Sequence, residues 1–390
     1  MMDYSRVLNK AVVDVKPSGI RKFFDIAATM DGVISLGVGE PDFPTPWNIR
    51  NAGIRSLEQS KTRYTSNRGL ELLRREISVY LKRKYGLTYD SEKEVLVTVG
   101  GSEAIDVCIR AVVSPGDEVI IPQPSYVCYE PITQLAGGVP VIIETREKDD
   151  FKITPEQVLS KITDKTKALI MPYPCNPTGA VMEKQDLQKI ADVLKDKNII
   201  VISDEIYSEL TFTDTKHCSI ASIDGMRDRT LVVNGFSKTF SMTGWRLGYA
   251  CGPTELIAQI TKIHQFAIMC APTTSQYAAI EALRNSDEDV KAMIDEYNFR
   301  RRMIVKGFNK LGLDCREPKG AFYAFPSIKS TKMSSDEFCE KLLVSQKVAL
   351  VPGTAFGQGG EGFVRASYCY SVEHIKEALE RIGLFLNEIR

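Results

Sequence analysis

The sequence predicts an α/β protein with a large domain, in which a mostly parallel β-sheet lies between helices, and a smaller α+β domain. From residue 48 onward, short apolar segments alternate with helical segments, which is typical of a parallel sheet covered on both faces. After about residue 284 the pattern changes to a long charged helix and short strand-like runs. We therefore assign residues 48–283 to the large domain, and residues 1–47 together with 284–390 to the small domain.

The first 47 residues end in an extended loop. Residues 37–46, GVGEPDFPTP, contain two glycines and three prolines, a composition that breaks helices and lets the backbone approach a ligand. A helix is expected to open near Asn48, and a second helix at 70–85 follows a polar turn that contains Tyr64. An exposed tyrosine in such a turn gains a function only where a partner surface meets it.

Five short, apolar strands are expected in the large domain. They lie at 95–98, 118–121, 167–171, 199–202 and 231–233. Between the third and fourth strands, a helical spacing relates Leu187, Ile190, Ala191 and Leu194. Because ligands bind beyond the carboxyl ends of the strands in such sheets, the residues after each strand should gather at one edge.

The small domain should contain a long helix, three strand-like runs and a closing helix. These segments are residues 287–311, 320–325, 348–353, 362–367 and 372–389. Together with the first 47 residues they would build one lobe from both ends of the chain.

Composition argues against several kinds of partner and site. Of 390 residues, 43% are hydrophobic, and 50 basic residues balance 50 acidic ones. No long block of one sign is present, so neither nucleic acid nor an anionic membrane is expected as a partner. The N-terminus lacks the apolar core of a signal peptide, and no segment approaches the ~18 apolar residues of a membrane span. Nine cysteines without a CxxC pair and three widely separated histidines favour a cytoplasmic protein with reduced thiols and no metal site.

The segment at 231–251, LVVNGFSKTFSMTGWRLGYAC, places an amine and a cation close together. In a dry crevice the pKa of Lys238 would fall, and the neutral amine could attack a carbonyl as a Schiff-base lysine does. Arg246 follows eight residues later and offers donors suited to a phosphate dianion, with the Ser237 hydroxyl as a neutral helper. Taken singly, these residues would be assigned to a solvated basic loop.

Two further strand ends carry groups that would complete such a site. Gly101 and Ser102 lie in a glycine turn that opens a helix, where free backbone N–H groups favour a phosphate. In a buried crevice Asp204 would need a cation, which a protonated heteroaromatic nitrogen would supply. Tyr207 could donate to a phenolate oxygen on the same ring. The alternatives are a simple tight turn, an N-cap aspartate and a core tyrosine.

Three more side chains fit the same ligand. Tyr126 could lie flat on the ring, and Asn176 could hydrogen-bond its hydroxyl. Arg365 is suited to hold a substrate carboxylate through two parallel hydrogen bonds. Alone, each has an ordinary structural alternative, as a core aromatic, a turn residue or a surface arginine. Together, all these groups are complementary to pyridoxal phosphate that holds an amino acid.

The chain resembles the fold-type I, class I aminotransferases along essentially its whole length. The motifs that carry the resemblance are GVGEPDFPTP at 37–46, RYTSNRG at 63–69, GGSEA at 100–104, YPCNPTG at 173–179, SDEIYSEL at 203–210, SKTFSMTGWRLGY at 237–249, GAFYAFP at 320–326 and VRASY at 364–368. The most similar branch contains bacterial aspartate, aromatic and N-acetyl-diaminopimelate aminotransferases. The resemblance implies that family's seven-stranded type of sheet and a homodimer.

The resemblance also implies roles for the site residues. Lys238 would bind the cofactor covalently and later move a proton between Cα and C4′, while Asp204 would keep the pyridine nitrogen protonated. The other cofactor-binding residues would be Tyr207 and Asn176 at the 3′-oxygen, Tyr126 on the ring, Gly101, Ser102, Ser237 and Arg246 at the phosphate, and Tyr64 reaching that phosphate from the other subunit. The substrate α-carboxylate would be held by Gly39, Asn176 and Arg365.

The implied reaction is a ping-pong transamination between an L-amino acid and a 2-oxo acid such as 2-oxoglutarate. The donor would be aspartate, an aromatic amino acid or a related one. Arg21 lies where the N-terminal segment of that branch approaches the substrate side chain, and we hypothesise that it favours acidic or aromatic donors; a solvated arginine is the alternative. No motif here matches the arginine with which animal-type aspartate aminotransferases read the distal carboxylate.

Two other functions remain open from the sequence. A pyridoxal-phosphate-dependent carbon–sulfur β-lyase would share Lys238 and Asp204, although TGWR at 243–246 and DEIY at 204–207 lean towards transamination. A non-catalytic, cofactor-sensing regulator would need a DNA-binding extension, for which motifs that begin by Gly37 leave no room. A nucleotide-binding sheet would require a GxGxxG turn after the first strand, and none is present.

Overall fold

The structure is a computed structural model that describes residues 2–17, 19, 30–213 and 216–389. The α-helices are α1 (Lys10–Asp14), α2 (Trp47–Glu58), α3 (Glu71–Tyr85), α4 (Gly100–Val112), α5 (Tyr129–Leu135), α6 (Pro155–Lys161), α7 (Lys184–Leu194), α8 (Thr254–Ala267), α9 (Thr273–Asn285), α10 (Asp287–Lys310), α11 (Ser335–Gln346) and α12 (Val372–Glu388). The strands are β1 (Ile34–Ser35), β2 (Val95–Thr98), β3 (Glu118–Gln123), β4 (Val139–Glu144), β5 (Thr166–Met171), β6 (Ile200–Asp204), β7 (Thr230–Gly235), β8 (Gly248–Cys251), β9 (Tyr323–Ala324), β10 (Val348–Ala349), β11 (Val351–Pro352) and β12 (Val364–Ser367).

A seven-stranded sheet forms the centre of the molecule, in the order β2-β8-β7-β6-β5-β3-β4. The β8 strand runs antiparallel to both of its neighbours, and the other adjacent pairs are parallel. Every residue of β2 and of β7 is buried, as expected for strands covered on both faces. The predicted mostly parallel sheet between helices is therefore confirmed.

Alternation along the strands sends neighbouring residues into two different cores. Ile120 of β3 packs in one core with the buried face of α7, which is Leu187, Ile190, Ala191 and Leu194 as predicted from their spacing. Val119 and Ile121 point to the opposite face and pack in a core that includes residues of α4. Each strand is thus held from both sides, and the carboxyl ends of the parallel strands meet at one edge.

The strands β4 and β8 were not predicted from the sequence. The β4 strand is an edge strand with only one fully buried residue, Ile143, so its apolar pattern is weak. The β8 strand begins at Gly248, where a Cβ atom would lie 2.6 Å from the carbonyl carbon of Gly100. The close approach of the two backbones therefore requires glycine at the start of this strand. Because glycine has a low β-propensity, the sequence gives little indication of a strand here.

Two small sheets combine residues from both ends of the chain. The β1 strand pairs in parallel with β10, with Ile34 opposite Val348. The strands β11, β12 and β9 form a second, antiparallel sheet, and Ser367 N donates to Leu36 O at 2.7 Å. These pairings support our proposal that residues 1–47 and 284–390 form the small domain and residues 48–283 the large one.

The loop at 37–46 is extended, as predicted, and is anchored at several points. Arg300 of α10 is 6% exposed, and its Nη1 donates to both carboxylate oxygens of Asp42 at 2.8 and 2.9 Å. A Cβ atom on Gly39 would lie 1.9 Å from the Tyr323 hydroxyl, so only glycine fits there. The loop therefore presents its backbone directly to the residues around it.

No helix within the described parts of the chain is long and apolar enough to cross a membrane. The same residues include no group of three or more His, Cys, Asp or Glu side chains arranged to hold a metal ion. Arg21 lies outside the described residues.

Candidate active site

A cavity of about 720 Å³ opens at the carboxyl edge of the sheet, which is a usual size for a small-molecule site. Eleven of the twelve predicted site residues line it. They are Gly39, Gly101, Ser102, Tyr126, Asn176, Asp204, Tyr207, Ser237, Lys238, Arg246 and Arg365. The strand ends explain why they meet: Asp204 is the last residue of β6, and Lys238 follows three residues after β7 ends at Gly235.

The Lys238 amine is held in a largely dry environment. Its Nζ donates to the Gly39 carbonyl at 2.6 Å and lies 5.6 Å from the centre of the Phe322 ring. Burial lowers the pKa of this amine to about 8; Cys369 and Glu40 oppose the shift, and the guanidinium groups of Arg365 and Arg246 add to it. A substantial fraction of the amine is therefore neutral near physiological pH, as a nucleophile requires.

Asp204 is a buried carboxylate whose described partners are neutral. The Tyr129 hydroxyl donates to Oδ2 at 2.7 Å, and the backbone N–H of Ile206 donates to Oδ1 at 3.2 Å. Burial raises the pKa of Asp204 to about 6, and the Tyr129 hydrogen bond opposes that rise. No described Lys, Arg or His forms an ion pair with this side chain. A cation supplied by a ligand in the cavity would complete its environment.

Tyr129 is a site residue that the sequence patterns missed. It begins α5 and does not directly follow a strand, so the rule about strand ends did not select it. Its ring packs edge-on against Tyr126 at a centroid distance of 6.0 Å. Tyr129 lies three residues after Tyr126 in the chain, and this proximity in sequence was the available signal.

For the cofactor that the sequence resemblance implies, we expect Tyr129→Phe to weaken the binding of pyridoxal phosphate about 10-fold, because Asp204 loses the donor that favours its charged form. The pKa of Asp204 should rise further in this variant. As the pH is lowered, the variant should therefore begin to lose affinity for the cofactor at a higher pH than the wild type does. Titration of the apoprotein with the cofactor at a series of pH values measures both effects. Tyr173→Phe is the matched control. It also removes a buried hydroxyl, which accepts a hydrogen bond from Ile153 N at 3.1 Å, and it should leave the pH profile unchanged.

Arg365 is a buried cation that faces the cavity without an anionic partner. It is 2% exposed, and its Nη1 donates to Asn176 Oδ1 at 2.8 Å while Nη2 donates to the Gly37 carbonyl. Its Nε has no hydrogen-bond partner, and no described Asp or Glu forms an ion pair with it. The Tyr323 and Phe356 rings lie 4.4 and 4.8 Å from the guanidinium carbon. This arrangement is suited to a carboxylate from a ligand.

A second site for an anion lies at the start of α4. The helix opens at Gly100, where the backbone N–H groups of the first turn have no partner within the helix. Arg246 has a left-handed backbone, with φ of +51°, and its Nη2 would lie 2.6 Å from a Cβ on Gly100. Among the described residues, its guanidinium donates one hydrogen bond, to the Thr243 carbonyl at 2.9 Å. Gly101, Ser102 and Ser237 line the same region of the cavity, which therefore fits a phosphate.

Tyr64 is the one predicted site residue that does not line the cavity of its own chain. Its side chain is 81% exposed. Exposed apolar residues lie near it in the fold: Asn67 donates to the Met269 carbonyl at 2.9 Å, and Phe266 and Met269 are 86% and 45% exposed. Any contribution of Tyr64 to a cavity would have to be made to another copy of the chain.

Comparison with known proteins agrees with this geometry. The family model for class I and II aminotransferases matches residues 31–382. The chain is 53% identical to the Bacillus subtilis protein YugH over 98% of each chain. It is 47% identical to an aspartate aminotransferase of Pyrococcus abyssi, over 96% of this chain and 97% of the relative. The crystal structure of an aromatic aminotransferase from Pyrococcus horikoshii superimposes with a TM-score of 0.90 at 44% identity, covering 95% of this chain and 99% of the other.

Proposed function

Because the chain belongs to the class I and II aminotransferases, whose members depend on pyridoxal phosphate, we propose that the cavity transfers an amino group from an L-amino acid to a 2-oxo acid. The observation that carries the proposal is the set of unpaired charges that line the cavity. Among the described residues, Asp204 is a buried carboxylate without a cation, and Arg246 and Arg365 form no ion pair. Pyridoxal phosphate with an amino acid supplies a cation and two anions.

The residues of the cavity fit this cofactor. Asp204 would hold the protonated ring nitrogen, and Tyr207 with Asn176 would hold the ring oxygen. Tyr126 would cover the ring, and the phosphate would be bound by Gly101, Ser102, Ser237 and Arg246. When bound, pyridoxal phosphate supplies an aldehyde that reacts with amines and a ring that accepts electrons.

Each protein group has a defined task in the proposed reaction. Arg365, with Asn176 and Gly39, would bind the α-carboxylate and so orient the Cα–H bond of the donor. Nζ of Lys238 would then take the proton from Cα and return it at C4′. Asp204 would keep its negative charge above a pH of about 6. We further propose that the small domain moves over the bound substrate and excludes water.

We propose aspartate, an aromatic amino acid or a related donor, with an acceptor such as 2-oxoglutarate. Relatives at 47% and 44% identity are named as aspartate and aromatic aminotransferases, which supports both classes. The test is to add L-amino acids one at a time to the purified yellow protein and to follow bleaching of its visible band. A true donor should bleach the band and 2-oxoglutarate should restore it.

Two outcomes would contradict the proposed function. Release of pyruvate from cystathionine without any 2-oxo acid acceptor, combined with no reversible bleaching by any amino acid, would overturn transamination in favour of a β-lyase. Protein that carries no visible band after incubation with pyridoxal phosphate would overturn the proposed cofactor.

We propose that the chain forms a homodimer in which Tyr64 reaches the phosphate in the cavity of the other subunit. The exposure of Tyr64, Phe266 and Met269 supports a surface that is covered in an assembly. We expect Tyr64→Ala to weaken cofactor binding about 10-fold through loss of one charge-assisted hydrogen bond.

A mixture of two inactive or weakened variants tests whether Tyr64 acts across the interface. Tyr64→Ala and Lys238→Ala are refolded together at equal concentrations and assayed with limiting cofactor. Mixed dimers would contain one intact site, so activity should rise to about a quarter of the wild-type value by random pairing. If Tyr64 acted in its own chain, the mixture would show no more than the sum of the separate variants.

A further inference from the structure

Tyr207 and Tyr323 form a buried pair of phenol groups that joins the two parts of the molecule. Their hydroxyl oxygens are 2.9 Å apart, and Tyr207 and Tyr323 are 6% and 2% exposed. Tyr207 follows β6 of the large sheet, whereas Tyr323 lies in β9 beside Arg365 of β12. Both line the cavity. The function proposed above assigns a task to Tyr207 and none to Tyr323.

The number of protons in this pair limits what Tyr207 can do. Each phenol has one O–H to donate. If Tyr207 donates to Tyr323, it has no proton left for a group in the cavity. If Tyr323 donates to Tyr207, the Tyr207 proton is free to point into the cavity. The direction of this one hydrogen bond therefore decides whether Tyr207 can act as a donor to a ligand.

The surroundings of Tyr323 favour the second arrangement. The Arg365 guanidinium carbon lies 4.4 Å from the centre of the Tyr323 ring, and a positive charge at the ring makes its hydroxyl a better donor. The same charge opposes the rise in pKa that burial causes at Tyr323, where it ranks directly after burial; it also lowers the pKa of Tyr207, but there it ranks below both effects of Tyr323. The other titratable groups that affect the pair are Tyr126 and Cys369. Within the described residues, neither forms a hydrogen bond with the Tyr323 hydroxyl.

The position of the Tyr323 hydroxyl is also tightly defined. A Cβ atom on Gly39 would lie 1.9 Å from it, so the glycine in the loop at 37–46 creates the space that this hydroxyl occupies. The Phe322 ring packs edge-on against Tyr207 with a centroid distance of 5.3 Å. Gly39 thus leaves room for the Tyr323 hydroxyl, and Phe322 packs against the Tyr207 ring that faces it.

We propose that Tyr323 is a positioning residue: its hydroxyl donates to Tyr207, turns the Tyr207 proton towards the ring oxygen of the cofactor, and links that oxygen to the carboxylate clamp at Arg365. This inference rests on the proposed binding of pyridoxal phosphate. It assigns to the GAFYAFP segment at 320–326 a role in tuning the cofactor, in addition to its role in the small sheet.

The test is a double-mutant cycle on the visible spectrum of the cofactor-loaded protein. A donor to the ring oxygen favours the deprotonated chromophore, so its loss should raise the pH at which the visible band changes. We expect Tyr207→Phe to shift this pH upward by about one unit and Tyr323→Phe by about half a unit to one unit. In the Tyr207→Phe background, Tyr323→Phe should add almost nothing, because the two hydroxyls act in series.

Tyr368→Phe is the matched control. The Tyr368 hydroxyl is buried in the same region and donates to the Ala321 carbonyl at 2.9 Å, and in the described part of the chain no hydrogen bond joins it to Tyr207. It should leave the spectral titration unchanged. Shifts that add in the double variant, or a Tyr323→Phe protein that titrates like the wild type, would overturn the role of Tyr323. A wild-type protein with no visible band would instead overturn the proposed function.

Discussion

Replacing Lys238 with alanine should lower kcat for transamination by about 10⁴-fold or more, because the nucleophile and the proton carrier are lost together. The Lys238 amine donates to Gly39 O and is kept partly neutral by burial, with its pKa lowered to about 8. No other lysine lines the cavity within the described residues. Single-turnover mixing with an amino acid, followed by the visible band, measures the effect on the chemical steps.

Chemical trapping locates the same function without relying on activity. Borohydride treatment of the cofactor-loaded wild type should leave a pyridoxyl group on the peptide that contains Lys238, and the alanine variant should carry none there. Recovery of the group on another lysine, with turnover retained by the variant, would contradict the assignment. The circular dichroism spectrum of the variant checks that the fold is intact.

The lowered pKa also predicts how the apoprotein takes up its cofactor. Since only the neutral amine attacks an aldehyde, the rate of cofactor uptake should rise with pH and level off above a pH of about 8. Stopped-flow absorbance at a series of pH values measures this rate. A rate that kept rising towards the ordinary pKa of a solvated lysine would show that burial does not act on Lys238 as described.

Arg365→Ala should lower kcat/KM about 10²- to 10³-fold, chiefly through KM, because a buried, two-pronged partner of the substrate carboxylate is removed. Arg365→Lys keeps the charge but not the planar pair of donors, so its kcat/KM should lie between those of the alanine variant and the wild type. The Arg365 side chain already donates to Asn176 and to the Gly37 carbonyl, which orients it before substrate binds.

A matched pair of substrates separates substrate capture from general damage. Phenylalanine and phenylethylamine differ only by the carboxylate, so the wild type should strongly favour phenylalanine, and Arg365→Ala should lose most of that preference. An unchanged preference for the carboxylated donor would show that another group binds the carboxylate. An unaltered amount of bound cofactor per subunit confirms that the variant retains its site.

Most of the fold followed from local pattern. The continuously apolar runs predicted the strands, and the helical spacing of apolar residues predicted α7. Strands buried on both faces and helices buried on one face give different patterns of apolar residues along the chain. The prediction failed at β4 and β8. The β4 strand is a partly exposed edge, and β8 begins at a glycine that close packing against Gly100 requires.

Some residues of the candidate site could be selected from the sequence, and others could not. Lys238, Asp204 and Asn176 could be selected because each follows an apolar run, and the edge of a parallel sheet gathers such residues. Tyr129 and Tyr323 could not be selected in this way. Tyr129 lies in a helix and Tyr323 in a strand of a separate, three-stranded sheet, yet they form hydrogen bonds of 2.7 and 2.9 Å with Asp204 and Tyr207.

The amino-acid sequence by itself determined the class of fold, the aminotransferase family and eleven of the residues that line the cavity, because periodicity and motif spacing are local properties of the chain. Only the tertiary structure decided which charges lack a partner. Asp204 and Arg365 are 161 residues apart in sequence, and each is buried among described residues that offer it no opposite charge. Whether a charge is compensated depends on neighbours brought from distant parts of the chain, and folding alone sets those neighbours.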